Sequence, residues 1–212
     1  MKGTFITFEG PEGSGKSTIL KAVEKKLLEK GYDILSTREP GGIQISEKIR
    51  SVILDVHHTE MDAKTEALLY AASRRQHIIE KIWPALKQGK VVLCDRFIDS
   101  SLAYQGQGRN LGIDEVLTIN QFAIENTMPD LTVFIDVPPQ VGLNRVFDNH
   151  RSVDRLDLES VEFHQTVYEG YLKLLDKFPE RIKVIDGNKD VKSVTEQALR
   201  LVEDFLSNKR NE

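Results

Sequence analysis

Short apolar runs and longer amphipathic stretches alternate along the whole of this 212-residue chain. The short runs are rich in β-branched and aromatic residues and end at Gly, Pro or Asp, which predicts buried strands. In the longer stretches apolar residues recur every three or four positions, the spacing of a helix with one buried face. The predicted strands are residues 3–10, 32–40, 90–97, 131–139 and 181–188. The predicted helices are residues 16–30, 43–54, 62–88, 114–127, 138–148, 158–177 and 190–207.

This alternation predicts a three-layer α/β/α fold in which helices surround a doubly wound, five-stranded parallel sheet. Ligands of such sheets bind at the carboxyl ends of the strands. Four polar residues stand at or near the ends of predicted strands, and we expect them to cluster: Glu9, Arg38, Asp95 and Asp136. Because neither a repeat nor a linker divides the chain, residues 1–212 are predicted to form one domain.

The charge balance narrows the possible partners. The chain has 29 basic and 33 acidic residues in mixed order, with a net charge of −4. This distribution predicts affinity for neither nucleic acid nor an anionic membrane, so any anion site must be local. No apolar run approaches the ~20 residues that span a bilayer. The single cysteine, Cys94, cannot form an internal disulfide, which fits a reducing compartment, and we expect a cytoplasmic protein.

A glycine-rich segment, GPEGSGKST, separates the first predicted strand from the first predicted helix. It matches GxxxxGK[ST], in which glycines let backbone N–H groups face a phosphate and the helix dipole adds to the attraction. In this motif Lys16 reaches the outer phosphates of a nucleotide and the Ser17 hydroxyl holds Mg²⁺. The segment therefore predicts a P-loop site for a nucleoside triphosphate, formed by Gly10, Pro11, Glu12, Gly13, Ser14, Gly15, Lys16, Ser17 and Thr18.

The phosphate loop does not identify the phosphate acceptor. A GTPase would carry NKxD after a late strand, and this chain has only Asn188-Lys189-Asp190, one residue too short. A transport or motor ATPase normally needs a longer chain. The sequence therefore favours a kinase that acts on a small molecule.

Five segments, the phosphate loop among them, carry a resemblance that covers essentially the whole chain. They are FEGPEGSGKST (8–18), TREPGG (37–42), LLYAASRRQH (68–77), CDRFIDSSLAYQG (94–106) and VDRLD (153–157). In this order they resemble bacterial thymidylate kinases, P-loop enzymes that transfer phosphate from ATP to dTMP with Mg²⁺. The family is usually dimeric, and the resemblance implies a homodimer whose interface could be supplied by the apolar helices at 62–88 and 114–127.

The resemblance implies roles on the acceptor side. Arg50 and Arg74 look like arginines that bind the phosphate and base of dTMP, and Tyr70 stands where the family often stacks phenylalanine on thymine. Tyr104 would occupy the place of a ribose 2′-hydroxyl, while Gln105 would contact the edge of the base. The implied dTMP-binding set is Glu12, Glu39, Arg50, Tyr70, Arg74, Arg96, Ser100, Ser101, Tyr104 and Gln105.

The resemblance also implies how charge is compensated. Asp95 would join Ser17 in the Mg²⁺ shell, and Arg96 can hold two phosphate oxygens through its planar guanidinium. Glu12 would face the acceptor sugar, and the phosphate loop has no arginine of its own. A polar segment, DNHRSVDR (148–155), resembles the arginine-bearing lid of the family, which we place at about residues 146–156. The implied catalytic set is Lys16, Arg96, Arg151 and Arg155.

Several alternatives stay open on the residues alone. Arginines on helices or polar loops are usually solvated, Tyr70 could simply pack in the core, and Ser100 to Gln107 could be a polar loop. Asp95 and Arg96 could be a local surface ion pair. At the level of function, the rivals are another nucleoside monophosphate or deoxynucleoside kinase and a nucleotide-dependent switch that binds a protein.

Overall fold

The computed structural model describes residues 3–148 and 154–210. Its strands are β1 (Thr4–Glu9), β2 (Ile34–Arg38), β3 (Val91–Asp95), β4 (Leu131–Asp136) and β5 (Ile182–Asp186). Its helices are α1 (Lys16–Glu29), α2 (Gln44–Leu54), α3 (Ala63–His77), α4 (Trp83–Lys87), α5 (Ile98–Ser101), α6 (Ile113–Ile124), α7 (Pro139–Asp148), α8 (Val161–Lys177) and α9 (Val191–Arg210). Two π-helical segments, Ile78–Ile82 and Leu102–Gly108, continue α3 and α5.

The five strands form one parallel sheet in the order β2-β3-β1-β4-β5. β1 lies at the centre, and all six of its residues are buried, which explains its nearly continuous apolar sequence. Side chains alternate between the two faces of the sheet, so Phe5 packs with one helical layer while Ile6 and Phe8 pack with the other. The predicted α/β/α architecture is confirmed.

Different helices cover the two faces of the sheet. One layer consists of α1 and α9, whose Val23, Leu27, Ala198 and Val202 are fully buried against the sheet. The other includes α3 to α6 and α8, and it buries the large side chains of Phe97 and Tyr171, among others. This second layer is thick enough to enclose a pocket above the carboxyl ends of the strands.

The segment Ile98–Gly108 differs from the polar loop that its sequence allowed, because it is helical throughout. Leu102 and Ala103 are fully buried and anchor the segment beneath α8. Ser101 and Gln105 are also almost completely buried, since they face a cavity rather than solvent. Polar positions that face a site look like surface positions in a sequence, which is why the helix was not evident.

No helix in the described ranges combines the length and the apolar character that crossing a membrane requires.

Candidate active site

A cavity of about 550 Å³ runs along the carboxyl edge of the sheet. Segments that follow all five strands line it, as expected for a parallel α/β sheet. Most residues that the sequence predicted to bind substrates meet in this cavity. They are Glu12, Gly13, Ser14, Gly15, Lys16, Ser17, Thr18, Glu39, Arg50, Tyr70, Arg74, Asp95, Arg96, Ser100, Ser101, Tyr104 and Gln105.

Of the four strand-end residues, Arg38 and Asp95 line the cavity. The carboxylate of Asp136 instead accepts a hydrogen bond from the Tyr168 hydroxyl at 2.9 Å. Glu9 is fully buried and lies one layer behind the cavity wall.

The phosphate loop has the backbone that its glycines predict. Gly13 and Gly15 have φ values of 68° and 87°, in the left-handed region that only glycine adopts without strain. A Cβ atom at Gly13 would lie 1.9 Å from the carbonyl oxygen of Gly142 on α7. The loop is therefore held against α7 at a distance that no other residue permits, and Gly15 leads directly into α1.

Lys16 is the buried cation of the loop, with 6% of its surface exposed. Its Nζ donates to the Pro11 carbonyl oxygen at 2.8 Å and to Ser14 Oγ at 3.3 Å. Burial and, to a lesser extent, the nearby charge of Arg96 together lower the pKa of Lys16 to about 8, against the opposing effect of Glu12 and Asp95. The loop thus holds a positive charge that an incoming phosphate would stabilise.

Ser17 and Asp95 offer oxygen ligands beside this lysine. The Ser17 hydroxyl donates to Asp95 Oδ2, which joins the first turn of α1 to the end of β3. In the described residues no three His, Cys, Asp or Glu side chains form a metal cluster. That is compatible with Mg²⁺, which commonly uses one or two protein oxygens together with phosphates and water.

Arg96 stands between the phosphate loop and the rest of the cavity. It has a positive φ of 66°, and its guanidinium donates to the Gly10 carbonyl, to Ser100 Oγ and to Tyr171 Oη at 3.0–3.2 Å. The same group forms an ion pair with Glu12. Burial works against the charge, but Glu12 and its neighbours raise the pKa of Arg96 well above its ordinary value. The site therefore holds a permanent cation at its centre.

Glu9 supports the Arg96 region from behind. Its carboxylate accepts from the Phe97 backbone N–H at 2.7 Å, from Ser100 Oγ at 2.6 Å and from Tyr171 Oη at 3.1 Å. Burial is the main cause that raises the pKa of Glu9 to about 7, and Asp99 adds to it. Glu9 fixes the start of the helical segment that carries the polar residues of the second pocket.

This second pocket is built around Arg74, whose side chain is 2% exposed. Arg74 Nε donates to Glu39 Oε2 at 2.7 Å, and Nη2 donates to the Phe97 carbonyl at 2.9 Å. Its Nη1 donates to Ser101 Oγ at 3.1 Å and contacts Asn120 Oδ1. Glu39 is itself only 5% exposed, and its Oε1 lies 2.9 Å from His77 Nδ1. Arg74 is consequently a rigid donor rather than a solvated helix charge.

Tyr70 and Tyr104 complete the aromatic part of the pocket. Tyr70 is 9% exposed and lines the cavity, so it belongs both to the core and to the pocket wall. Tyr104 donates to Glu12 Oε1 at 3.2 Å, and the Arg96 guanidinium lies 5.2 Å from its ring centre. Arg50 approaches from α2 and donates to the Pro40 carbonyl at 3.0 Å.

The two lid arginines have different outcomes. Arg151 lies outside the described residues. Arg155 is 8% exposed, and its Nε donates to the Ile53 carbonyl at 2.9 Å while Nη2 pairs with Glu66. In this conformation Arg155 ties the end of the lid segment to α2 and α3. A role at the transferred phosphate would require these bonds to break.

Sequence reasoning did not identify Glu66 or Asn120 as site residues. Glu66 contacts Gln105 and Asn120 contacts Arg74, both behind the cavity wall. A signal for Glu66 was present, since Glu66, Tyr70 and Arg74 are four residues apart and share one face of a helix. No comparable spacing links Asn120 on α6 to its partner.

The geometry defines a class of protein. A P-loop, a hydroxyl–carboxylate pair beside its lysine and a second polar pocket share one cavity, which is the arrangement of a P-loop kinase for a small acceptor. A family model described as thymidylate kinase matches residues 8–198. The chain therefore belongs to the thymidylate kinase family, and the expected resemblance and the enzyme class are confirmed.

Individual relatives agree with this assignment. The chain is 57% identical over 210 residues to a thymidylate kinase from Oceanobacillus iheyensis, covering 99% of this chain and 93% of that one. It is 61% identical over 197 residues to a thymidylate kinase from Clostridium novyi, covering 92% and 96%. The crystal structure of thymidylate kinase from Ehrlichia chaffeensis superposes with a TM-score of 0.77 at 31% identity, covering 96% and 99%.

Proposed function

We propose that this chain transfers the γ-phosphoryl group of ATP to dTMP and releases ADP and dTDP. The observation that carries the proposal is the shared cavity, in which Arg96 lies between the phosphate loop and the pocket of Tyr70, Arg74 and Gln105. A nucleotide held on the loop and a monophosphate held in the pocket would therefore meet at one cation. The names of the relatives support dTMP as the acceptor.

In the proposed reaction an oxygen of the dTMP phosphate attacks the γ-phosphorus of ATP, and the bond from that phosphorus to the ADP oxygen breaks. Lys16 and Arg96 would stabilise the negative charge on the transferring group. Arg50 would hold the acceptor phosphate, while Tyr70 and Tyr104 would position the base and sugar. Since no covalent bond to the protein forms, most of the catalysis would come from positioning and electrostatics.

The Ser17 hydroxyl and the Asp95 carboxylate fit Mg²⁺, because both are hard oxygen donors placed beside the loop lysine. When bound, the ion would neutralise phosphate charge. The contact between the two side chains means that their orientation is already set in the protein.

The lid would supply further positive charge. We propose Arg151 as a cation of the closed lid, as the family resemblance implies. Arg155 would either leave Glu66 on closure or keep the lid segment anchored to α2 and α3. Glu39 would act on dTMP through Arg74, which it holds in place.

The test is ATP turnover measured with dTMP, dUMP, dGMP, UMP or no acceptor. Strong stimulation by dTMP, with dTDP as the product, would support the proposal. Preference for another monophosphate would keep the fold and phosphate loop and overturn the roles of the base pocket. ATP binding without stimulation by any acceptor would favour the nucleotide-dependent switch.

We also propose that the chain forms a homodimer through the helical layer of α3 and α6. Leu68 is 56% exposed, Ile79 is 42% exposed and Phe122 is 90% exposed, an unusual set for helices that face water. Sedimentation at micromolar concentration tests this proposal. A dimer that Phe122→Asp converts to a monomer would support it, and a native monomer would contradict it.

A further inference from the structure

A buried carboxylate, Glu66, lies at the start of α3 behind the base end of the cavity. Its side chain is 1% exposed. Glu66 Oε1 accepts from Gln105 Nε2 at 2.8 Å and from Arg109 Nε at 3.3 Å. Oε2 accepts from Arg109 Nη2 at 3.1 Å and from Arg155. Two arginines thus compensate the charge of a group that also touches the base pocket.

Glu66 is ionised at neutral pH. Burial works to raise the pKa of this carboxyl, but hydrogen bonds and charge from Arg109, and bonds from Gln105 and Arg155, bring it below its ordinary value. An ionised carboxylate only accepts hydrogen bonds. Gln105 must therefore turn its NH₂ group toward Glu66.

This constraint determines which end of the Gln105 amide is left for a ligand. An amide has one donating end and one accepting end, and Gln105 lines the cavity while being only 1% exposed. With the NH₂ group directed at Glu66, the carbonyl oxygen is the end that remains for the cavity. A flipped amide would place its carbonyl oxygen against the carboxylate, which is unfavourable in a buried site.

We propose that Glu66 is a positioning residue that fixes the Gln105 amide, so that the pocket selects a pyrimidine whose N3 carries a hydrogen. Thymine and uracil have this N3–H donor and can donate it to the Gln105 carbonyl oxygen. Cytosine has an acceptor at N3, and two acceptors would face each other without a proton between them. Selectivity then comes from an unfavourable contact with the wrong base. The inference rests on the proposed dTMP kinase activity.

The central variant is Glu66→Gln. A neutral amide at position 66 can accept or donate, so the Gln105 amide is no longer confined to one orientation. We expect the ratio of kcat/KM for dTMP to that for dCMP to fall by about 10-fold or more. Arg74 keeps its bonds to Glu39, Ser101, Asn120 and Phe97 in this variant, so any discrimination that Arg74 supplies persists.

Arg109→Met is the matched control. It removes both Arg109 bonds to Glu66 and the ion pair with Glu159, but leaves the Glu66–Gln105 bond. We expect a lower Tm and a dTMP/dCMP ratio within about 2-fold of the native value. A merely structural Glu66 would instead give equal changes of the ratio in both variants, or no change in either, and both results would overturn the proposal.

Two measurements keep the test decisive. If Glu66→Gln does not fold, Gln105→Met is measured alone, and an unchanged dTMP/dCMP ratio in that variant would overturn the proposal. Where both variants fold, Glu66→Gln should change the ratio no further in a Gln105→Met background, since the amide it acts through is gone.

The native chain is assayed first. Failure to phosphorylate dTMP there would reject the proposed function, whereas native activity with an unaffected Glu66→Gln ratio would reject only this inference.

Discussion

Arg96 and Glu12 form an ion pair that links the end of β3 to the phosphate loop. Both side chains are more than four-fifths buried, with 16% and 18% of their surfaces exposed. The Glu12 carboxylate also accepts from Tyr104, so one carboxylate orients a cation and an aromatic side chain of the acceptor pocket. The position of Arg96 is thus set by residues from both halves of the cavity.

Arg96→Lys should retain the charge and lose the planar, multidentate geometry. We expect kcat/KM for dTMP to fall by about 10²-fold or more, since the lost donors would face the transferring group, with little change in ATP affinity. Steady-state kinetics and ATP titration measure the two quantities. Arg200→Lys on the exposed face of α9 is the control and should be neutral. Native kinetics in Arg96→Lys would remove Arg96 from the mechanism.

ATP binding should weaken above pH 8, because Lys16 has a pKa of about 8 in the free protein. Below that pH the ammonium attracts phosphate, and above it the neutral amine must first take up a proton. We expect the ATP Kd to rise about 10-fold from pH 7 to pH 9, with proton uptake visible by calorimetry in buffers of different ionisation enthalpy. Lys16→Arg keeps its charge and should bind with a flat pH profile over this range. An equally flat native profile would contradict the prediction.

Gly13 and Gly31 both have a positive φ, but only Gly13 is in close contact with another part of the chain. Alanine substitutions at the two positions therefore distinguish the cost of a steric clash from the cost of backbone strain. Gly13→Ala would force a Cβ against the Gly142 carbonyl, whereas a Cβ at Gly31, with a φ of 85°, meets nothing within 4 Å. We expect Gly13→Ala to lower the free energy of unfolding by about 2 to 5 kcal/mol and to weaken ATP binding. Gly31→Ala should cost only about 1 to 2 kcal/mol and leave binding intact. Urea unfolding and ATP titration compare them, and equal effects would argue against the close contact with α7.

The fold could be predicted because its three inner strands, β1, β3 and β4, are short, apolar and buried on both faces. β1 and β3 carry this signal over nearly every residue, and glycines or prolines mark most of the helix boundaries. The order of the strands could not be predicted, since it depends on which crossover passes to which side of β1. The helical segment after β3 was also obscured, because its buried polar residues face a cavity.

The phosphate loop could be predicted from residues 10–18 alone, because one continuous segment makes the whole loop. The second pocket could not be predicted from any one segment, since Arg74 is held by groups from α5, α6 and the segment after β2. Arg155 illustrates the same limit. Its place in a polar segment suggested a solvated or catalytic side chain, and only the packing of α3 reveals Glu66 as its partner.

The helix that carries Ser100 and Ser101 begins beside a buried ion pair, and its stability should depend on that pair. Arg181 holds both oxygens of Asp99, at 2.6 and 2.7 Å, while Thr132 donates to the same carboxylate at 3.0 Å. Arg181→Met leaves the Asp99 carboxyl without its bidentate partner in a position with no solvent access. Removal of one partner from a buried pair typically costs about 3 to 5 kcal/mol.

The matched control is Lys26→Met, which removes an exposed pair with Glu29 at 3.7 Å. Because solvent screens that pair, its loss should change stability by less than about 1 kcal/mol. Urea unfolding at pH 7 gives both free energies. A similar small loss in the two variants would mean that Asp99 finds other partners, and the start of α5 would then owe its position to the Glu9 carboxylate, which binds the Phe97 backbone N–H.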